Sequence, residues 1–275
     1  MPELPEVETI VNGLKGKLIG QQINKIQLVE PRILRSPVKN FLDSLPGCVV
    51  KNIRRRGKMI FITLSKRIQM LIHLKMTGQL LLTSQAFPLQ RHIHLILELL
   101  PSGGFLFYRD VRRFGFFCLG SEDYINDLPI VKNLGPDALT LKWPEFLEVI
   151  SDSRGRIKNL LLNQNSLAGI GNIYADEILF RAKINPVQSV AKLELGQKKS
   201  LYDSIQSILK EAIEKGGSSI RDYLDSDGQQ GNFQLLHQVY GRAGTPCNVC
   251  GSPIQRVKFS SRSSHFCPNC QLLHP

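Results

Sequence analysis

Two Cys-x-x-Cys pairs, Cys247/Cys250 and Cys267/Cys270, close the chain with residues 251–266 between them. No other local feature restricts the fold as tightly. Each pair offers two thiolates from a tight turn, and a hairpin over the intervening residues would bring the pairs together around one zinc ion. Four thiolates complete a tetrahedron and leave no open position, so the expected role is structural. Residues 241–275 hold Arg242, Arg256, Lys258 and Arg262 but no Asp or Glu. A zinc tetrathiolate carries about −2, so this segment stays slightly positive. Arg262 belongs to the hairpin between the pairs. Cys48 and Cys118 stand in apolar strand contexts and read as small core residues. His265 lies next to Cys267 but one residue away, and the four cysteines already fill the zinc sphere.

Charge suggests what such an appendage serves. Lys and Arg outnumber Asp and Glu by 35 to 23 in 275 residues, for a net charge of +12. Two classes stay open at that level: a nucleic-acid binder, for which phosphate neutralisation uses the excess, and a basic enzyme of another kind. No apolar run approaches the ~20 residues of a membrane helix. The opening Met-Pro-Glu-Leu-Pro-Glu-Val-Glu-Thr-Ile is acidic and lacks the plan of a signal peptide. A cytoplasmic location without stable disulfides is the expectation.

The hydrophobic period changes along the chain. Residues 2–18 predict a helix, with Pro5 in its first turn and Val7, Ile10, Val11, Leu14 and Leu18 in one stripe. From about 22 to 119 the pattern is that of strands. Ile60–Leu64, Leu71–Leu74 and Phe105–Tyr108 are candidates, and in the run from His92 to Leu99 the residues Ile93, Leu95, Leu97 and Leu99 are expected on one face. Leu134-Gly135-Pro136-Asp137 marks a boundary, after which Ile157, Leu160 and Leu161 take helical spacing. Gly169-Ile170-Gly171-Asn172 interrupts that pattern, Ile173 to Ala182 resumes it, and Leu201 to Glu214 is amphipathic. The polar, glycine-containing stretch from Ser218 to Asn232 reads as a mobile loop. The fold class is therefore α+β and multidomain: an N-terminal β-sandwich with a leading helix (1–134), a helical domain (135–240) and a four-cysteine zinc-finger β-hairpin (241–275).

Five motifs in order carry a family resemblance. They are the Met-Pro-Glu-Leu-Pro-Glu-Val-Glu-Thr opening, Arg55-Arg56-Gly57-Lys58, His73-Leu74-Lys75-Met76-Thr77-Gly78 and Asp110-Val111-Arg112-Arg113-Phe114-Gly115, then Gly169-Ile170-Gly171-Asn172-Ile173-Tyr174-Ala175-Asp176-Glu177 ahead of the cysteine cluster. Together they resemble the formamidopyrimidine-DNA glycosylase family over essentially the whole chain. The resemblance implies a bifunctional glycosylase and abasic-site lyase for oxidised purines in double-stranded DNA, working as a monomer with one structural zinc.

By the same resemblance Pro2 is the nucleophile and Glu3 its proton shuttle, Lys58 reaches a phosphate and the leaving group, and Arg262 joins the catalytic groove. The chemistry suits an N-terminal amine. With a pKa near 7.8 about 30% of it is neutral at pH 7.4, against ~0.1% of a typical lysine. That use requires Met1 to be removed. Met76, Arg112 and Phe114 resemble the trio that fills the hole left by an extruded base, with Arg112 facing the orphaned partner. Residues 153–182 resemble the helix–two-turn–helix element, with Asn172 at a helix N-terminus suited to phosphate. His92 and Arg262 are further expected DNA contacts, and Gly216-Gly217-Ser218-Ser219-Ile220-Arg221-Asp222 precedes a loop that in the family closes over the extruded base and here reads equally as a disordered connection. His92 and His94, two apart on one strand, suggest a metal pair less readily than hydrogen-bonded histidines. Thr77 departs from members with an acidic residue there. Two alternatives remain: an endonuclease VIII-type enzyme for oxidised pyrimidines, and a zinc-finger DNA binder without catalysis.

Overall fold

A computed structural model describes residues 1–85, 91–259 and 262–273. The contacts divide the chain into two compact units, Met1–Asn133 with Lys215–Asn232, and Leu134–Glu214 with Phe233–Pro275. The sequence division leaves residues 215–232 with the helical domain; in the structure they pack on the first unit.

The first unit opens with α1 (Leu4–Leu18), whose stripe Leu4, Val7, Ile10, Val11, Leu14 and Leu18 is buried. Full burial of side chains of this size contributes about 1.5–3 kcal/mol each. The helix starts at Leu4 rather than at Pro2. Glu6 bends back so that its Oε2 accepts from the Glu3 backbone N–H at 2.7 Å, which leaves Glu3 extended as the cap. Strands β1 (Gln22–Leu28), β2 (Val50–Arg56), β3 (Met59–Leu64) and β4 (Gln69–His73) follow, with α2 (Val38–Ser44) between β1 and β2. Then come β5 (Gly78–Thr83), β6 (Ile93–Leu100), β7 (Phe105–Asp110) and β8 (Phe116–Gly120), with the short helices α3 (Glu122–Asp127) and α4 (Pro129–Lys132). The strands pair antiparallel in two sheets, β1-β6-β7-β5 and β2-β3-β4-β8. Leu95, Leu97, Leu99, Leu106 and Tyr108 of one sheet share a core with Ile60, Ile62, Met70, Ile72 and Phe117 of the other and with α1. This is the expected sandwich with its leading helix.

One detail of β6 departs from simple alternation. The register against β7 slips between Ile93 and Leu95, so Ile93 packs with Ile96 and Phe107 on the opposite side from Leu95, Leu97 and Leu99. A bulge inserts one extra residue and turns everything before it to the other face. The stretch 218–232 holds no helix or strand, as a loop should, and it packs against the sandwich. Tyr223 is buried in the sandwich core, Leu82 N donates to Ser226 O at 2.8 Å, and Gln79 Nε2 donates to Asp222 O. Its polar composition reflects backbone bonding to β5 and α1, which no local pattern displays.

The second unit contains α5 (Trp143–Ser151), α6 (Ile157–Leu162), α7 (Asn172–Arg181), α8 (Leu195–Glu214) and the hairpin β9 (Gln255–Phe259) and β10 (Arg262–Phe266). In α6 the buried residues are Ile157, Lys158, Leu160 and Leu161. α8 begins at Leu195, ahead of the expected Leu201; the sequence hides this start because Gly196 to Ser200 carry no apolar residue to mark a period. α7 is buried from Ile173 through Phe180, so the cysteine hairpin and α8 can both pack on it. No helix among the described residues is long and apolar enough to cross a membrane.

Candidate active site and DNA-contact residues

The start of α1 gathers charge around the chain terminus. Pro2, Glu3, Glu6 and Lys58 are all buried. The Met1 amine is held below its ordinary range by burial, against the opposing pull of Glu3 and Glu6, with Lys58 lowering it further. Those groups therefore act on the terminus together. Lys58 is placed by a two-residue hairpin turn, Gly57-Lys58, between β2 and β3, in which Gly57 takes φ +59°. Arg55 holds that turn to α1: its Nε lies 2.6 Å from Glu8 Oε2 and its guanidinium donates to Gly57 O at 2.9 Å. Arg55 is thus spent on structure, and the run 51–58 is not simply a solvated basic face.

Sequence reasoning passed over Glu6. Its second oxygen accepts from Ser218 N at 2.7 Å, so one buried carboxylate ties the segment after Gly217 to the residue beside Pro2. The Glu three positions after the helix cap was the available signal. His73 was missed as well. Burial first, then Lys75, Lys58 and Arg35, push its imidazole down to about 3. It is neutral at physiological pH. Because Nδ1 accepts from Lys75 N at 3.0 Å, the ring proton belongs on Nε2, where it can be donated.

The same unit presents Met76, Arg112 and Phe114 outward. Met76 is 39% and Phe114 52% exposed, and the Arg112 guanidinium lies 4.6 Å from the Phe114 ring centre. Large apolar side chains left in water are not core packing and are consistent with a surface awaiting a partner. His92 and His94 part company. His94 is buried with Nε2 2.7 Å from Asp110 O, while the half-buried His92 adopts φ +73° and accepts from Asp110 N through its carbonyl.

In the second unit the turn before α7 is held by one side chain. Gln164 donates to Leu162 O at 3.0 Å and Ile170 O at 2.9 Å and accepts from Gly169 N at 3.0 Å. Asn172 is the first residue of α7, and its buried Oδ1 has no hydrogen-bond partner among the described residues. The next acids bind α7 to the hairpin and to the segment ahead of it. Asp176 pairs with Lys158 at 2.6 Å and accepts from His265 N at 2.9 Å. Glu177 accepts from the backbone of Gln238, Val239 and Tyr240. Arg262, at the start of β10, is exposed.

The four cysteine sulfurs lie within 4.8 Å of one another, and among the described residues they alone form a cluster with metal-ligand geometry. Tetrahedral zinc with bonds of about 2.3 Å needs sulfurs about 3.8 Å apart. The Cys247–Cys270 and Cys250–Cys267 separations are 3.9 and 3.4 Å. Backbone N–H groups of Val249 and Cys270 donate to the sulfurs of Cys247 and Cys267, as thiolates require. Hydrogen bonds from Ser252 and Asn269 pull the Cys250 thiol down to about 6, while burial pushes the Cys267 and Cys270 thiols up. The residues fit zinc. Cys247 and Cys267 also pack with Phe180, Val239 and Ile254. Metal analysis is expected to find one zinc per chain, and chelation to lower the melting of the second unit while the first melts unchanged. A folded second unit with far less than one zinc would refute this.

Family models match three successive segments: the formamidopyrimidine-DNA glycosylase N-terminal domain over residues 1–117, its H2TH domain over 134–223, and the zinc finger found in FPG and IleRS over 244–272. A formamidopyrimidine-DNA glycosylase of Solibacter usitatus is 42% identical over 98% of this chain and 99% of its own length. The chain belongs to the formamidopyrimidine-DNA glycosylase family. Another member, from Streptococcus pyogenes serotype M6, is 39% identical over the full length of both chains. Solved structures of the Lactococcus lactis glycosylase agree with this glycosylase fold. Its complex with abasic-site DNA gives a TM-score of 0.91 at 37% identity, covering 98% of this chain and 99% of that one. Its complex with Fapy-dG-containing DNA gives 0.89 at 37%, covering 98% and 100%.

Proposed function

We propose that this glycosylase removes oxidised purines, 8-oxoguanine and formamidopyrimidines, from double-stranded DNA and then cuts the strand at the abasic site. The observation that carries the reading is the convergence of buried Glu3, Glu6 and Lys58 on the terminus at the head of α1. Once Met1 is gone, the secondary amine of Pro2 stands there. Burial and Lys58, which lower the Met1 amine against the pull of Glu3 and Glu6, would act on the Pro2 amine in the same sense, and the positive end of α1 adds to them in favour of the neutral, nucleophilic form. The amine attacks C1′, the glycosyl bond breaks, and the base leaves with a proton. Glu3 passes a proton to the ring oxygen as the sugar opens to an iminium. That cation makes the C2′ proton acidic. Its loss expels the 3′-phosphate, a second elimination expels the 5′-phosphate, and water releases the sugar fragment from Pro2.

The remaining residues bind. Lys58, Asn172, Arg262 and His92 contact phosphate, with neutral His73 as a further donor. Met76 and Phe114 fill the space of the extruded base, and Arg112 donates to the partner base. Arg112 only donates, so cytosine, with acceptors O2 and N3, suits it better than adenine. The Lactococcus lactis complexes with Fapy-dG and abasic DNA support this substrate class. We place the protein in the cytoplasm as a monomer. Incubation with a duplex bearing 8-oxoguanine opposite cytosine is expected to give a free base and a one-nucleotide gap with phosphate at both ends. Activity on oxidised pyrimidines without activity on 8-oxoguanine would favour the endonuclease VIII-type reading.

A further inference from the structure

The three exposed side chains of the reading surface do not hold themselves in place. Beneath them lies one fully buried carboxylate, Asp110, at the end of β7. Its Oδ1 accepts from the Thr77 hydroxyl and from Arg112 N at 3.1 Å. Its Oδ2 accepts from the Tyr108 hydroxyl at 3.0 Å and Gly115 N at 2.8 Å. Both ends of the 111–114 turn therefore hang on a single side chain. Thr77 closes the arrangement, because its oxygen also accepts from Arg112 N at 3.0 Å.

The strand register explains why these residues meet. Gly78 of β5 faces Asp110 of β7, so Thr77 stands one residue beyond the pair, and Met76 next to it. Space is cleared for the Tyr108 hydroxyl on two sides. A Cβ added at Gly115 would lie 1.8 Å from it, and one added at Gly78 would lie 3.0 Å away. The backbone of Asp110 is held too, by His94 Nε2 on its carbonyl and by its own N–H on His92 O. Arg113 meanwhile takes φ +55°, a left-handed conformation that a non-glycine residue keeps only when its surroundings impose it.

A buried carboxylate is a poor way to fill a sheet edge, since burial works against its charge. Here burial pushes Asp110 up, but the bonds from Thr77, Gly115, Tyr108 and Arg112 outweigh it and keep the carboxyl below its usual range. It stays ionised and accepts from every donor around it.

We propose that Thr77 and Asp110 are positioning residues that set partner-base discrimination, by locking the backbone of Arg112 to that of Met76. The proposal rests on the reading of Arg112 as the partner-base donor. Hydrogen-bond selectivity needs the guanidinium placed within tenths of an ångström, and the Thr77 hydroxyl is the link through which wedge and reader share one frame. Thr77 itself touches no base. Its effect is on the ratio of excision opposite cytosine to that opposite adenine.

The experiment is single-turnover excision of 8-oxoguanine opposite each base by the full-length protein, with cleavage of a preformed abasic site as the check on folding. Thr77→Val keeps the shape and removes the hydroxyl; it is expected to lower the cytosine-to-adenine ratio by about 5-fold or more. Thr77→Ser keeps the hydroxyl and is expected to retain the ratio. Asp110→Asn, which puts an NH2 donor in place of one of the two accepting oxygens, is expected to lower it as well. A Thr77→Val protein with the unmodified ratio overturns the proposal, and so does a Thr77→Ser protein that falls as far as Thr77→Val. Equal rates opposite the two bases for the unmodified protein would instead overturn the reading of Arg112, and this proposal with it.

Discussion

A protein carrying an N-terminal extension that stays attached to Met1 is expected to lose covalent trapping by borohydride on damaged DNA altogether. In that form the nitrogen of Pro2 is an amide, its lone pair is delocalised, and it cannot attack C1′. Strand cleavage should fall by about three orders of magnitude or more, the scale on which removing an enzymatic nucleophile acts. The side-chain charges of Glu3, Glu6 and Lys58 would remain and only the amine's own charge would be lost, so binding to lesion DNA is the control. Glu3→Gln makes the complementary case. It removes the proton shuttle but leaves the amine, and base excision should drop by about 100- to 10,000-fold. Mass spectrometry of the mature terminus and of the trapped peptide checks both. An extended protein that is trapped and cuts at the normal rate would remove Pro2 from the mechanism.

The second large effect concerns Asp176. Its carboxylate is fully buried, 2.6 Å from Lys158, whose ammonium also donates to Ser263 O at 2.8 Å, and it holds His265 through both the backbone and the ring. One side chain therefore fastens α6, α7 and β10 together. Asp176→Ala strands the Lys158 charge in a site where its side chain is 5% exposed. Losing one partner of a buried pair costs about 3–5 kcal/mol, a large share of the 5–15 kcal/mol that a domain typically has. The denaturation midpoint of the second unit should fall accordingly, and DNA affinity with it. Replacing both charges is the telling comparison. Lys158→Met with Asp176→Leu removes the uncompensated ion and should recover much of the lost stability. If the double variant is as unstable as Asp176→Ala, packing and the His265 contacts govern the site, and the ion pair does not.

The lessons of Asp176 and Asp110 are the same. Each acid stands inside a motif that the sequence displays openly, Asn172 to Glu177 and Asp110 to Gly115. In neither case does the motif tell whether the carboxylate meets DNA or holds up the residues beside it. The answer depends on partners far along the chain: Thr77 for Asp110, and Lys158 and His265 for Asp176. Chain neighbours of Glu6 likewise reveal its helix cap but not its bond to Ser218.

By itself the sequence determined what local periodicity and spacing can carry. The apolar stripe of α1, the period-two runs of the sandwich, the helical spacing of Ile157, Leu160 and Leu161 and the metal-ligand pairing of the cysteines all follow from the pattern of side chains within a few residues. The charged opening beside Pro2 and the order of the motifs identified the family on the same basis. Only the tertiary structure decided which face Ile93 takes, because a bulge is a relation between two strands. It alone placed the polar segment around Tyr223 against the sandwich, because its backbone partners lie on β5 and near α1. It also separated exposed Met76 from buried Thr77, the next residue in the chain, since burial is a property of what folds over a residue and not of the residue.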